Sequence, residues 1–251
     1  DPAVNWMYRT EPEPGLAGQR DHWPRGKILG GSSSINAMVW IRGHQSDYAD
    51  WAALAGPGWG PEAVTSAYRA IEDNEAGGDA FRGKGGPLFI SANRRDLHPL
   101  VESYLASAEA TGLKRLADFN GAEQEGAGIY QMTIKGARRN STARAFLRPA
   151  MKRANVTVRT GAHATRIIVE DGRAKGVEYH CNGNSKRAMA AGEVILAGGA
   201  INSPQLLMLS GIGPAAHLQD HGIAVVHDLP GVGQNLSEHP RVPVEFAPKG
   251  A

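Results

Sequence analysis

The sequence predicts a mixed α/β fold, and three features of its 251 residues predict it. Apolar residues recur at helical spacing in Val64, Ala67, Tyr68 and Ile71, and again in Leu100, Val101, Tyr104, Leu105 and Ala108. From Val156 onward the texture changes to short β-branched runs separated by turn residues. Finally, the apolar run Glu193 to Ala197 enters Gly198-Gly199 and then Ser203-Pro204, a strand followed by a helix start.

Taken in order, residues 1–23 read as extended and irregular, because Pro12 and Pro14 break any helix. Ser34 to Trp40 is compatible with a short helix or a buried segment. Pro57 to Gly60 reads as a turn, and Pro61 suits the first position of the helix carrying the first apolar face. Gly77 to Gly86 is a loop and Pro87 to Ser91 a short strand. The helix around Leu105 should stop at Gly112. Ile129 to Ile134 alternates as a strand does. Ser141 and Thr142 are placed to cap a helix over Ala145 to Ala150, which Pro149 must bend or loosen.

Strands are expected at Val156 to Val158 and at Arg166 to Val169. A turn at Asp171-Gly172 leads to a returning arm at Gly176 to Tyr179. Glu193 to Ala197 forms a strand, with Ser203 as helix N-cap and Pro204 as first helical residue. Such a strand–glycine–helix unit is typical of nucleotide-binding α/β layers. Val242 to Phe246 has the pattern of a last strand. The chain opens on Asp1-Pro2 and ends just after that strand, so we expect an internal piece of a longer protein.

Bulk properties exclude several function classes. With 27 basic against 25 acidic residues the net charge is +2, and no global field points to nucleic acid or an acidic membrane. The basic residues Arg138, Arg139 and Arg144 read as a solvated loop. Apolar runs are too short for a membrane span. A single cysteine, Cys181, rules out an internal disulfide and fits a reducing, cytoplasmic compartment. The 32 glycines exceed the usual share of about 7% and lie between ordered segments, as in a cofactor-binding α/β protein.

The densest chemistry lies in Pro24 to Asn36, where Gly30-Gly31 precedes Ser32-Ser33-Ser34. Paired glycines let a backbone pass close to a flat or anionic group. The hydroxyls and amides that follow can supply donors to it. This stretch, continuing through Met38-Val39-Trp40-Ile41-Arg42-Gly43 to Asp47-Tyr48, resembles the first signature of the glucose–methanol–choline (GMC) flavoprotein oxidoreductases. Gly199 to Gly213 resembles the second signature. Arg139 to Leu147 and Gly231 to Leu236 fall where family members carry similar segments.

The resemblance implies part of a doubly wound FAD-binding domain plus the start of an antiparallel-sheet substrate domain. Residues 1–60 would carry the flavin loop, 61–150 a mainly helical lid or substrate portion, 151–238 more of the FAD domain, and 239–251 the opening of the substrate sheet. Lys27, Gly30, Gly31 and Ser32 would run beside flavin and pyrophosphate, and Asn36, Ala37, Met38 and Val39 would line the ring. Ala164 would meet the adenine edge, with Gly198 and Ala200 beside the adenosine half. Some members bond flavin through a histidine before this asparagine; Ile35 stands there, so noncovalent FAD is expected.

Other chemistries fit less well. A dinucleotide fingerprint needs Gly-x-Gly-x-x-Gly after a strand. The nearest match, Gly211-Ile212-Gly213-Pro214-Ala215-Ala216, follows a helix and reads as its terminating turn. In the family that fingerprint lies upstream, before residue 1, and the catalytic histidine pair lies beyond residue 251. No catalytic residue is therefore assigned. His239, after Glu238, reads as a structural hydrogen-bonding residue. His217 and His221 have metal-ligand spacing but no third ligand, and read as solvent-facing.

The resemblance implies FAD-dependent oxidation of a small primary alcohol to an aldehyde, with O2 or a dye- or quinone-type acceptor. The local wording is closest to choline-dehydrogenase-like and pyridoxine- or aryl-alcohol-oxidase-like members. Two other readings are an inert truncated fragment or half of a nicked pair needing its complementary segments, and a flavin-containing hydroxynitrile lyase.

Overall fold

A computed structural model describes residues 1–92, 97–238 and 243–245. The chain forms two compact units, Asp1–Thr157 and Val158–Ala251.

The first unit opens with a tight antiparallel pair, β1 (Tyr8–Arg9) against β2 (His22–Trp23), where the sequence suggested irregular chain. A 3-10 turn over Gly31–Ser34 follows, then β3 (Val39–Trp40). The expected helix or buried segment at 34–40 is therefore neither, because Asn36 and Ala37 are exposed and the chain is already extending. Helix α1 (Gln45–Ala55) was not foreseen, since its apolar residues are not gathered on one face. Its start is fixed by His44, whose ring accepts from the Ser46 amide, and by Asp47, which accepts from the His44 amide at 2.8 Å. Helix α2 (Pro61–Ile71) begins at Pro61 as expected.

The chain then runs through β4 (Glu72–Asn74) and β5 (Leu88–Ile90), which pair in parallel. Helix α3 (Leu100–Ala110) ends at Thr111 and Gly112 as the pattern predicts. Next come β6 (Arg115–Leu116), β7 (Ala127–Gly128), β8 (Gln131–Met132), β9 (Ile134–Lys135) and β10 (Arg138–Arg139). The strand expected at Ile129 to Ile134 is thus broken, because its pieces serve different partners: β8 pairs with β3 and β9 with β10. Leu88, Ile90 and Ala145 form a small apolar core with Trp40 packed against it.

The expected helix at 145–150 is mostly a π turn over Ala143–Leu147, followed by a single α turn, α4 (Arg148–Ala150). Pro149 sits near the start of α4, where a missing N–H is tolerated, and the wider turn precedes it. No strand forms at Val156 to Val158.

The second unit is built on an antiparallel meander of β11 (Ala162–Glu170), β12 (Arg173–Cys181) and β13 (Asn184–Met189). Asp171-Gly172 and Asn182-Gly183 both have positive φ at the two turn residues, as a tight hairpin of this hand requires. Ile167, Tyr179, Leu218 and Val232 are buried. Glu193 to Ala197 has no strand partner among the described residues, and Ile195 is 79% exposed. An apolar run is a strand only when a neighbouring backbone completes its ladder.

Helix α5 (Gly199–Leu209) starts earlier than Ser203-Pro204 suggested. Gly199, at φ +85°, turns the chain into it, so Pro204 lies inside and removes one helical hydrogen bond. Gly211 ends it through its amide to Met208 O (2.9 Å), and β14 (Ile212–Gly213) leads to α6 (Ala215–Asp220). β14 pairs in parallel with β15 (His227–Asp228). The last expected strand, Val242 to Phe246, has its two end residues outside the described residues; Pro243, Val244 and Glu245 between them form no strand. His239 also lies outside them. No helix among the described residues is long and apolar enough to cross a membrane.

Candidate functional site

The glycine–serine loop of the first unit is a self-braced turn. Its two ends meet where the Gly26 amide donates to Ser32 Oγ at 3.1 Å. Gly26 packs so closely on Gly31 that a Cβ there would lie 2.2 Å from the Gly31 carbonyl oxygen. Gly30, at φ +90°, is enclosed as well: a Cβ would meet Ser34 Oγ at 2.5 Å and Ala143 Cβ at 3.0 Å. Gly31, at φ +54°, faces open space. Ser33 Oγ donates to Gly30 O at 2.6 Å and Ser34 Oγ to Leu29 O at 2.8 Å. These two hydroxyls therefore close the turn, where the sequence suggested donors for a ligand. In so tight a turn the nearest acceptors are the loop's own carbonyls.

The exit from the loop is strained. Met38 has φ +63°, the left-handed region that a side chain disfavours by about 1–2 kcal/mol. It is held from both sides. Its amide donates to Asn36 Oδ1 at 3.0 Å, and its carbonyl accepts from the Thr133 amide at 2.9 Å and hydroxyl at 3.3 Å. Backbone strain kept in place by surrounding bonds is a feature of binding and catalytic loops.

A distant segment supplies the remaining anchors. Gly136 and Ala137, both at positive φ, close a tight hairpin between β9 and β10 that delivers Arg139. One Arg139 nitrogen donates to Asn36 Oδ1 at 2.7 Å and to Ser33 O at 3.2 Å. Thr142 accompanies it: its amide donates to Ser33 Oγ at 3.0 Å and its hydroxyl to Gly30 O at 3.2 Å. Arg139 is thus an anchor of the loop, correcting the reading of it as solvated. Thr142 uses its hydroxyl across the loop instead of capping the next turn. Neither role is visible from spacing, because each partner lies more than 100 residues away.

The outer edge of this loop is open. Ser32, Asn36, Ala37 and Val39 are exposed, and the apolar side chains of Ile28, Leu29 and Ile41 stand exposed near them. Lys27 Nζ lies 5.0 Å from the centroid of the Trp6 ring. Small side chains and backbone flanked by apolar groups and cations suit a large flat ligand with a polar rim and anionic substituents.

Eight of the predicted site residues are gathered in this one loop: Lys27, Gly30, Gly31, Ser32, Asn36, Ala37, Met38 and Val39. Ala164, Gly198 and Ala200 belong to the second unit. Ala164 is exposed on β11, paired with Tyr179, while Gly198 precedes α5. Ala200, Pro204, Met208, Gly233, Asn235 and Leu236 line a groove of about 590 Å³. It brings the Gly199–Gly213 and Gly231–Leu236 segments together. Behind it, the buried Ser210 joins α5 to β11 by donating to Leu206 O at 2.6 Å and accepting from the Ile167 amide at 2.8 Å. The His217 and His221 rings lie 4.6 Å apart, and no group of three or more metal-ligating side chains occurs among the described residues.

The chain is 45% identical over 241 residues to the oxygen-dependent choline dehydrogenase of Brucella anthropi, covering 96% of this chain and 44% of that protein. It therefore spans less than half the length of that relative. Among solved structures it is similar to pyridoxine 4-oxidase from Mesorbium loti, with a TM-score of 0.86 and 37% identity over 90% of this chain and 45% of the other. It is also similar to an FAD-dependent oxidoreductase from Chaetomium thermophilum, with a TM-score of 0.83 and 26% identity over 92% and 44%. The family model described as GMC oxidoreductase matches residues 14–241, and the chain belongs to that family.

Proposed function

We propose that this chain carries the cofactor-holding loop of an FAD-dependent enzyme that oxidises a small primary alcohol to an aldehyde. The observation that supports it most is the Gly26–Val39 loop, strained at Met38, anchored by Arg139, Thr133 and Thr142, and open along its outer edge. The likeness to a choline dehydrogenase and a pyridoxine oxidase supports the substrate class.

In this reading Lys27, Gly30, Gly31, Ser32, Asn36, Ala37, Met38 and Val39 hold the flavin and pyrophosphate, and Ala164, Gly198 and Ala200 the adenosine half. FAD supplies the hydride acceptor. The loop's part is to fix the plane of the ring and exclude water from one face, through a backbone that cannot relax without breaking the Arg139 and Thr133 bonds. No histidine of this chain is assigned as the proton acceptor. Ile35 offers no nucleophile to the ring, so attachment is noncovalent. The acceptor that returns the flavin to its oxidised form is O2 or a dye- or quinone-type molecule.

The test uses protein expressed from its complete reading frame. A yellow preparation whose visible band disappears on anaerobic addition of choline or another primary alcohol is the expected result. Protein that takes up no FAD, or whose bound FAD keeps its colour with a panel of primary alcohols, overturns the proposal. Acid precipitation should leave the colour in the supernatant; colour in the pellet would refute noncovalent attachment.

A further inference from the structure

The hydrogen bonds around Asn36 fix more than the loop. A carboxamide can present either its oxygen or its NH2 to a neighbour, and only the partners decide. Here two donors converge on one atom: the Met38 amide at 3.0 Å and an Arg139 nitrogen at 2.7 Å. Both can only donate. Guanidinium keeps its charge at any working pH, so Oδ1 is the atom that must face inward. The NH2 of the same planar group is then turned away from the Met38 N–H, on a residue that is exposed.

We propose that Arg139 is a positioning residue that locks the Asn36 carboxamide so that its NH2 is the donor offered to an acceptor atom on the flavin. This deepens, and rests on, the FAD reading above. Arg139 acts through Asn36, and it reaches the loop because the Gly136-Ala137 turn aims β10 at it. An unlocked carboxamide would populate the flipped state, in which the Met38 amide and the NH2 face each other as two donors. Such a state loosens both the strained turn and the ligand contact.

The experiment compares wild type, R139M, R139K and N36D, each expressed from the complete reading frame and stripped of FAD. FAD affinity is measured by fluorescence on reconstitution, and flavin reduction potential by dye equilibration. N36D decides the matter, because a carboxylate keeps both inward bonds and adds an ion pair to Arg139 but has no NH2. We expect N36D to melt at least as high as wild type without FAD, yet to bind FAD about tenfold or more weaker and at a lower potential. R139M should lose affinity to a similar degree, and R139K should recover part of it.

N36D with wild-type affinity and potential would overturn the inference, leaving the FAD proposal intact. Wild type that takes up no FAD would instead overturn the FAD proposal itself. An R139M that fails to fold does not blunt the test, since N36D retains every inward bond.

Discussion

Three glycines within six residues do three different jobs. Gly31 is left-handed but unobstructed, so Gly31→Ala should cost only the backbone term, about 1 kcal/mol. Gly30 adds enclosure by Ser34 and Ala143, and Gly30→Ala should cost about 3 kcal/mol. Gly26→Ala meets main chain that cannot swing aside, and should cost about 2–3 kcal/mol without any φ penalty. Urea denaturation midpoints test the ranking, and a Gly31→Ala more damaging than Gly30→Ala would contradict it. From sequence, the glycine pair was legible as a place where backbone passes close to something. What it passes close to was not, because part of what encloses Gly30, besides Ser34, is Ala143, over a hundred residues on.

Elements with local causes were the ones read well. Asp171-Gly172 dictates its hairpin by its own dihedral preferences, and Pro61 and Gly112 punctuate α2 and α3 without help from elsewhere. Glu193 to Ala197 and Val156 to Val158 were misread because a strand depends on a neighbour that spacing does not name. Two side chains show how elements are joined. Ser210 sits between α5 and β11, and Ser210→Ala would leave the Ile167 amide buried without its acceptor. That should cost about 1–3 kcal/mol, with faster hydrogen exchange at Ile167 as its local sign.

Tyr48 does the same for α1, accepting from the Gly43 amide at 2.8 Å. Burial, with Tyr68 nearby, pushes its phenol up to about 12. Between pH 10, where an unfolded tyrosine releases its proton, and about 12, only the folded chain keeps that proton. Stability therefore falls as pH rises across this window, by about 2 kcal/mol from this residue. Tyr48→Phe should show a shallower alkaline decline; an unchanged slope would remove Tyr48 as its source.

At the scale of the molecule, the first unit is held by buried polar side chains as much as by its small apolar core. Glu72 is fully buried and accepts from Trp40 Nε1 (2.8 Å), Arg42 Nη2 (2.9 Å) and the Gly83 amide (2.7 Å). Asn120 clamps the same strand, accepting from the Arg42 amide at 2.8 Å and donating to Trp40 O at 3.0 Å. Trp40 and Arg42 lie directly after the candidate site, so this network sets where the loop leaves the core. The sequence carried no sign of it: a glutamate following an amphipathic helix reads as surface until its partners are known.

A double-mutant cycle tests whether Arg42 and Glu72 act as a pair. Removing one partner strands the other's charge, and also Phe81 O loses its 2.6 Å bond in Arg42→Met. Each single change to Met should cost about 3–5 kcal/mol. Replacing both removes the stranded charge, so the double variant should fall short of the summed cost by about 2 kcal/mol or more. Urea denaturation of the four proteins gives the coupling directly. If the two costs simply add, the ion pair does not organise the exit of the loop, and Asn120 and Gln131 must hold the strand without it.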